Sequence, residues 1–400
     1  MPENKDNKIL NVPNLRFPEF EGEWEEHYLS DYLDFKNGLN PKPERFGKGI
    51  RFISVMDILN NAVITNDCIR ASVDVSEEEL LSFCVENGDI LFQRSSETLE
   101  DVGRANVYMD NKPAVFGGFV IRGKKKAEYD PLFFRYLLAS PFARKKIIPM
   151  GAGAQHFNIG QEGLNKVKLH FALLDEQKKI ARLLSLLDER IAIQNKIIED
   201  LKKLRSAIIE REYTFKVQTH SHIGDFIEQN SNRNKDNIIQ NVLSVSNRQG
   251  FIRQREQFED RSIASDDTSN YKIVARNDFA FNPARINVGS IARLTTFEKG
   301  IVSPMYICFH TKNSILPEYL SFYFETKQFF SEIQKRLEGS VRQCLSYEGL
   351  CNIPFFPPVI EDQRRIGKRL FTLVQKFNLE MTFLEMLQKQ KTYLLRQMFI

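Results

Sequence analysis

Between residues 173 and 208, side chains recur at alternating steps of four and three: Ile180, Leu184, Leu187, Ile191, Gln194, Ile198, Leu201, Arg205 and Ile208. The same spacing returns near the C-terminus as Ile366, Leu370, Leu373, Phe377, Glu380, Leu384, Leu387, Lys391 and Leu394. Seven of nine positions are apolar in each series, and the two polar breaks fall at matching places. A sustained 4-3 spacing is a coiled-coil seam. The pattern predicts two helices of about 35–40 residues, roughly 55–60 Å long at 1.5 Å per residue. Ordinary globular helices average about 11–12 residues, and one small domain cannot bury helices this long. The expected arrangement is therefore antiparallel pairing, with Gln194 against Glu380 in full overlap and the polar seam residues fixing register. Two amphipathic helices, each packed on its own domain, are the alternative.

Elsewhere the periodicity is shorter. "IRFISV", "DILFQ" and "AVFGGFVIRG" are β-branched and aromatic and are bounded by Gly, Asn and Asp, which predicts strands. "DPLFFRYLLASPFARKKI" follows an Asp cap and a Pro with helical spacing, which predicts a helix. "LPEYLSFYFETKQFFSEI" reads the same way. These segments belong to a repeat. At a shift of 186 residues, Pro131 meets Pro317, Ile147 meets Ile333, Gly153 meets Gly339 and Ile180 meets Ile366, and "EGL" at 162–164 meets "EGL" at 348–350. Upstream the shift drifts by a few residues: "ENGDILF" answers "ARNDFAF", with Asp89 on Asp278. So long a period marks a tandem domain duplication, not a solenoid. The expected fold is α+β, with two similar mixed α/β domains separated by two long antiparallel coiled-coil helices and related by a pseudo-two-fold. The boundaries are a first domain at 1–172, a central helix at 173–213, a second domain at 214–358 and a C-terminal helix at 359–400.

Composition narrows the class. Hydrophobic residues make up 42% of the 400, with 32 Phe, which suits chains with sizeable cores. No apolar stretch reaches the roughly 20 residues of a membrane span. The five Cys form no C-x-x-C pair, and no apolar run near Met1 resembles a signal peptide. A reduced, cytoplasmic protein is expected. The net charge of +4 is only mildly basic. Local runs such as "RGKKK" at 122–126, "ARKK" at 143–146 and "RQREQ" at 253–257 carry more information, although solvated faces also look like this.

Catalytic signatures are weak. "GFVIRGKK" at 118–125 nearly matches a phosphate-binding loop, but Lys125 stands where a metal-binding hydroxyl is required. "FNPAR" at 281–285 only distantly resembles the Asn-Pro-Pro-aromatic motif of amino-methyltransferases. Cys308 with His310, and His220 with His222, could each share a strand face, but two ligands do not make a metal site. A pair of similar domains on a rod suits a ligand with two separated half-sites, and DNA is such a ligand.

The opening "NVPNLRFPEFEGEWEEHYLSDYLDF", the "GDILFQRSS" segment, the "GAGAQHFNIG" and "EGLNKVKL" run and the duplicated "DEQKKIARLLSLLDERI" together resemble the specificity subunit of Type I restriction-modification enzymes, over essentially the whole chain. The resemblance implies two target-recognition domains, each reading one half of a split double-stranded DNA target, and paired helices acting as a ruler for the spacer. It implies two modification subunits that methylate adenine with S-adenosylmethionine, and two restriction subunits that use ATP and Mg. No cofactor is then expected in this chain, no catalytic residue, and no membrane partner. A non-catalytic protein-docking adaptor on the same scaffold is the competing expectation.

Base edges are read best by Arg on guanine and by Asn or Gln on adenine, while phosphates take Lys, Arg, Ser and backbone N–H groups. Polar loops at repeated positions supply candidates. Gln93, Arg94 and Ser95 follow the "GDILF" strand, and Asn282 and Arg285 follow its twin. Gln155, His156 and Asn158 precede the first "EGL", and Arg342 and Gln343 precede the second. Arg104, Lys124 and Lys125 are candidates for the phosphate backbone. Arg342→Ala is expected to weaken recognition of one half-site only, by about 1–3 kcal/mol for a lost bidentate contact. Binding titrations with each half-site altered in turn check this, and equal losses on both would assign Arg342 a structural part.

Overall fold

The computed structural model describes residues 10–214, 221–247, 249–254, 267–339 and 343–400. The chain forms two compact units, Met1–Lys196 with Thr382–Ile400, and Ile197–Met381. Each unit contains sheets, and a long helix links the two in sequence.

The first unit holds an antiparallel sheet of β1 (Leu33–Asn37), β2 (Ile90–Gln93), β3 (Ala105–Val107) and β4 (Val120–Lys125), in the order β1-β4-β2-β3. The second unit repeats this order with β5 (Ile227–Asn230), β6 (Phe279–Phe281), β7 (Ile291–Arg293) and β8 (Ile307–Thr311), arranged β5-β8-β6-β7. Each unit also has a second sheet built on a parallel pair, Phe46–Ile53 with Ala114–Phe116 in one and Val242–Ser246 with Lys299–Val302 in the other. A repeated strand order is the structural form of the sequence repeat.

Three local expectations change. "AVFGGFVIRG" is not one strand: it breaks at Gly117 and Gly118, and its halves enter different sheets. "IRFISV" is strand only to Ile53, because Ser54 and Asp57 cap the helix Val55–Asn60. "DPLFFRYLLASPFARKKI" is two helices, α1 (Pro131–Ala139) and α2 (Pro141–Ile147). Asp130 caps the first by accepting from Phe133 N at 2.8 Å. The break falls at Ser140, since a residue before proline avoids the helical region and proline offers no N–H. Ser140 Oγ then caps α2 by accepting from Ala143 N. The twin segment divides likewise into α4 (Pro317–Tyr323) and α5 (Lys327–Gln334), with Thr326 capping the second.

The long helices are α3 (Leu174–Glu212, 39 residues) and α6 (Ile360–Gln397, 38 residues). Acidic residues fill both first turns, complementing the helix dipole. Along α3 the seam residues Ile180, Leu184, Leu187, Gln194, Ile198 and Ile208 are buried, while Ile191, Leu201 and Arg205 are half-buried. Along α6, Ile366, Leu370, Leu384, Leu387 and Leu394 are buried, and Leu373, Phe377 and Glu380 are half-buried. Within the first unit, Ile180, Leu184 and Leu187 share a core with Leu387 and Leu394. There Asp188 pairs with Lys391 at 2.5 Å, and Arg190 lies over the Phe383 ring. Within the second unit, Ile208 shares a core with Ile366 and Leu370, Lys202 lies over Phe377, and Glu212 pairs with Arg369. In either unit, one helix's numbers rise as the other's fall, so the segments run antiparallel.

The opening segment has a physical task in the first unit. Arg16 grips Glu176 bidentately, with both bonds 2.8 Å, and Trp24 Nε1 donates to the same carboxylate. The Trp24 ring meets Phe133 and Phe399 edge-on, and Leu15 N donates to Gln397 O. The segment thus fastens the start of α3 to the end of α6. A second device occurs twice. Gln177 Oε1 accepts from Asp130 N, and its Nε2 donates to Ala172 O. Gln363 Oε1 accepts from Leu316 N, and its Nε2 donates to Pro358 O. All three positions in one set sit 186 residues from their counterparts, and both glutamines are buried.

Each glutamine ties the first turn of a long helix to the cap of a domain helix. Gln177→Ala and Gln363→Ala are each expected to lower stability by about 1–3 kcal/mol, the cost of leaving a buried backbone group without a partner. Denaturant midpoints measure this; two unchanged midpoints would leave the clamp without an energetic role.

Candidate nucleic-acid interface

Strand register places several candidate residues at one end of each main sheet. In the first unit, Gln93 pairs with Val120, Phe92 with Ala105 and Asn37 with Ile121. That end therefore carries the residues after β1 and β2 and those just before β3 and β4. The 151–158 loop joins it: Ser95 and Ser96 pair with Asn158 and Phe157, and Ile159 N donates to Arg94 O at 2.9 Å. Ser95 Oγ also bonds Asn158 Oδ1. Ala152 and Asn158 exchange both backbone bonds, which leaves Gln155 and His156 exposed in the loop between them. The loop needs Gly153, whose φ is +145° and where a Cβ would lie 1.9 Å from His156 O. Arg94, Ser95, Arg104, Gln155, His156 and Asn158 thus come together.

The second unit repeats the plan. Phe281 pairs with both Ile291 and Ile307, so the 282–285 turn lies at the corresponding sheet end. Leu345 N donates to Pro283 O at 3.0 Å, and Glu338 and Cys344 exchange both backbone bonds. The second of these is the Ala152–Asn158 pairing shifted by 186 residues. Arg285 and Gln343 are exposed here. Arg342, the remaining candidate, lies outside the described residues.

Four candidates need correction. Gln93 and Asn282 are buried, 4% and 7% exposed, so their side chains do not reach outward. Gln93 Nε2 donates to Ser95 O, and Asn282 Oδ1 accepts from Ala284 N. Each of these bonds lies within the residue's own turn. Lys124 and Lys125 stand at the far end of β4, four and five residues from Val120, or roughly 13–17 Å along the strand. Lys124 pairs there with Glu86, and Lys125 Nζ donates to Tyr129 O and lies over its ring. At the far end of the main sheet in its own unit, each of Asp89 and Asp278 closes a turn, accepting from Glu86 N and Ala275 N respectively, and burial raises both carboxyls above their ordinary range.

Among the others, Arg104 is exposed and pairs with Asp101 at 2.6 Å. Arg144, not among the sequence candidates, donates to Glu100 O and Val102 O and fixes the preceding loop. Burial, with Arg104 nearby, pushes its guanidinium down to about 10. Two further residues at these sheet ends escape composition-based selection because they are apolar: Phe119 and Met305. Their separation of 186 residues is the signal that could have found them.

Other chemistry is sparse. The stretch 118–125 is mostly strand β4, not a phosphate loop. Cys308 is a core residue whose thiol burial pushes up to about 12, while His310 stands near Glu228 at 3.6 Å. His220 lies outside the described residues. Among the described residues no three His, Cys, Asp or Glu side chains gather as metal ligands.

Residues 21–203 match the family model of the Type I restriction modification DNA specificity domain. Over 231 residues the chain is 27% identical to a Methanocaldococcus jannaschii protein assigned to type I restriction enzyme MjaX as its specificity subunit, covering 55% of this chain and 54% of that one. It is 25% identical over 175 residues to the type I restriction enzyme EcoKI specificity subunit of Escherichia coli, covering 43% and 36%. The chain spans about half or less of these curated relatives' length. The crystal structure of a Type I restriction-modification system S subunit from M. genitalium aligns with a TM-score of 0.60 at 17% identity, covering 97% of this chain and 99% of that one. A chain from a structure described for complex assembly and conformational transition of the type I R-M system aligns at 0.54 and 12% identity, covering 93% and 96%. At these identities the shared feature is the fold.

Buried and exposed candidates should separate experimentally. Asn282→Ala is expected to lower the unfolding midpoint, since it removes a turn-forming acceptor. Arg285→Ala is expected to leave that midpoint in place and to weaken DNA binding by about 1–3 kcal/mol. Thermal unfolding and duplex titration on the same two variants check the pair, and the reverse assignment would remove Arg285 as a reader.

Proposed function

We propose that this chain, whose residues 21–203 match the family model of the Type I restriction modification DNA specificity domain, is the DNA sequence-specificity subunit of a type I restriction-modification complex. The observation that carries the reading is the repeated sheet end. Two units with one strand order present donor-rich loops at the same topological place, and the loop sequences differ between them. Two readers on one scaffold fit an asymmetric bipartite target, each reader taking one half. In this proposal the target-recognition domains are 1–172 and 214–358, joined by the helices at 173–213 and 359–400.

Arg285 is assigned to guanine O6 and N7, and the exposed amides of Gln155 and Gln343 to adenine N6 and N7, while the Asn158 amide, bonded to Ser95 Oγ and His156 O, holds the loop that carries Gln155. Ser95, Arg94, Arg104 and the loop N–H groups suit phosphate oxygens, which position the duplex without reading it. The long helices supply a fixed length for the spacer between half-sites and an apolar seam for their mutual packing. Their outer faces are assigned to two modification subunits, which bring adenine methylation and S-adenosylmethionine. Two restriction subunits bring ATP, Mg and cleavage to the same complex. This chain contributes recognition and no catalytic group, and it works in the cytoplasm.

Phosphate neutralisation releases counterions, so affinity must respond to salt. With about 6–10 phosphate contacts, affinity for a duplex is expected to fall about 10³–10⁵-fold between 50 and 200 mM salt. Methylome sequencing of cells carrying this chain with its partner subunits is expected to return one asymmetric motif with two specified halves and an unspecified spacer. Salt-insensitive binding, or a methylome without a split motif, would favour a protein-docking adaptor instead.

A further inference from the structure

At each reading end one turn carries an exposed apolar side chain. Val120 N donates to Gly117 O at 2.8 Å, and Tyr306 N donates to Ser303 O at 3.0 Å. These are one four-residue turn, found twice at a shift of 186. Its third residue is Phe119 in the first unit, 68% exposed, and Met305 in the second, 55% exposed. The turns read "GGFV" and "SPMY", so only the turn bond and the protruding apolar group persist. A lone exposed apolar residue is ordinary on a protein surface. Recurrence at one turn position in two diverged copies, beside the donor-rich loops each time, is not.

Phe119 is held out rigidly. Arg94 N donates to Phe119 O at 2.9 Å, and Arg94 Nη1 donates to Gly118 O at 3.2 Å. The chain beneath leaves no slack: a Cβ on Gly118 would lie 2.0 Å from Asn40 Oδ1, and one on Gly117 would lie 2.7 Å from the Phe52 ring. In the second unit, Pro304 presets the turn, and Lys272 Nζ donates to Tyr306 O at 2.6 Å, fixing the residue behind Met305. Phe, Met and Pro are side chains that proteins insert between base steps to unstack a duplex. An enzyme acting on a base must take it out of the stack.

Resting on the specificity-subunit reading above, we propose that Phe119 and Met305 are wedges, each entering the base stack of its own half-site and opening the duplex where the partner methyltransferase extrudes its adenine. They are positioning residues: they prepare the base step and take no part in methyl transfer. The surrounding cationic and amide groups hold the backbone while the apolar group occupies the gap.

The test uses the full chain assembled with its modification subunits and duplexes of the methylome-defined target, with 2-aminopurine replacing the target adenine of one half-site. Wild type is expected to raise 2-aminopurine fluorescence at both half-sites. Phe119→Ala is expected to cut the rise several-fold at one half-site only, and Met305→Ala at the other. Each variant should lose about tenfold or more in affinity, as burial of a large apolar group implies. The salt slope should stay that of wild type, because no phosphate contact is removed. Phe119→Leu and Met305→Leu should restore most of the signal, and unfolding midpoints should not move. An unchanged fluorescence rise in the alanine variants overturns the wedge. Loss of assembly with the modification subunits, with DNA unstacking intact, also overturns it and makes the turns a protein interface. A wild-type complex that binds no split target overturns both the wedge and the specificity reading.

Discussion

One buried amide governs how each long helix leaves its domain. Gln177 and Gln363 use both ends of the side chain, accepting from the cap of a domain helix and donating to the carbonyl just before the long helix begins. A single hydrogen bond would constrain the first turn in one direction only. Bonds from both ends of one planar group fix the first turn against separate backbone segments, and Gln363 Nε2 adds a further one to Ser314 O at 3.3 Å. Burial makes the arrangement stringent, since an amide that loses either partner in the interior carries the full cost of desolvation. The seam residues that follow, Ile180 and Leu184 in α3 and Ile366 and Leu370 in α6, continue from this first turn into the cores.

The same economy governs the loop-bearing ends of the sheets. Antiparallel pairing sets which loops are neighbours, so the four-stranded sheet collects segments that are far apart in sequence, such as 93–96, 104, 117–119 and 155–158 in the first unit. The sheet is the fixed part. Short backbone bonds, such as Ile159 N to Arg94 O and Leu345 N to Pro283 O, attach the loops without using side chains. The side chains on those loops can therefore differ between copies while the frame stays the same.

The helices were legible in the sequence because a 4-3 apolar series sustained over nine positions specifies a helical seam and little else, and the buried set from Ile180 to Ile208 follows it closely. The duplication was legible too, since matched positions at one shift need no structural knowledge. Other features were hidden for physical reasons. The helix break at Ser140 obeyed a local proline rule that the longer apolar rhythm masked. Gln93 and Asn282 have the chemistry of base readers, but sequence does not show that a side chain folds back onto its own turn. Lys124 and Lys125 form an attractive basic run, yet a strand carries them about 3.3 Å per residue away from the end where the loops meet. The glutamine clamps were written in the "DEQ" and "EDQ" triplets, but helix periodicity treats such residues as solvent-facing, and only the fold reveals Asp130 N and Leu316 N above them.

Comparing the two copies separates frame from function within a single chain. What persists is backbone-directed: at a shift of 186 the Gln clamps, the paired loop bonds and the turn at 117–120 and 303–306, and at a shift of 189 the aspartate-closed turns at Asp89 and Asp278. What differs is nearly every outward polar group on the same loops, with Ser95 answered by Ala284 and Arg94 by Pro283. A frame tied by backbone bonds tolerates such replacement, because exchanging an exposed side chain removes none of the bonds that hold the loop. An apolar group is the exception at these ends. It gains nothing from water and makes no hydrogen bond, so its recurrence at Phe119 and Met305 points to a task that both units share.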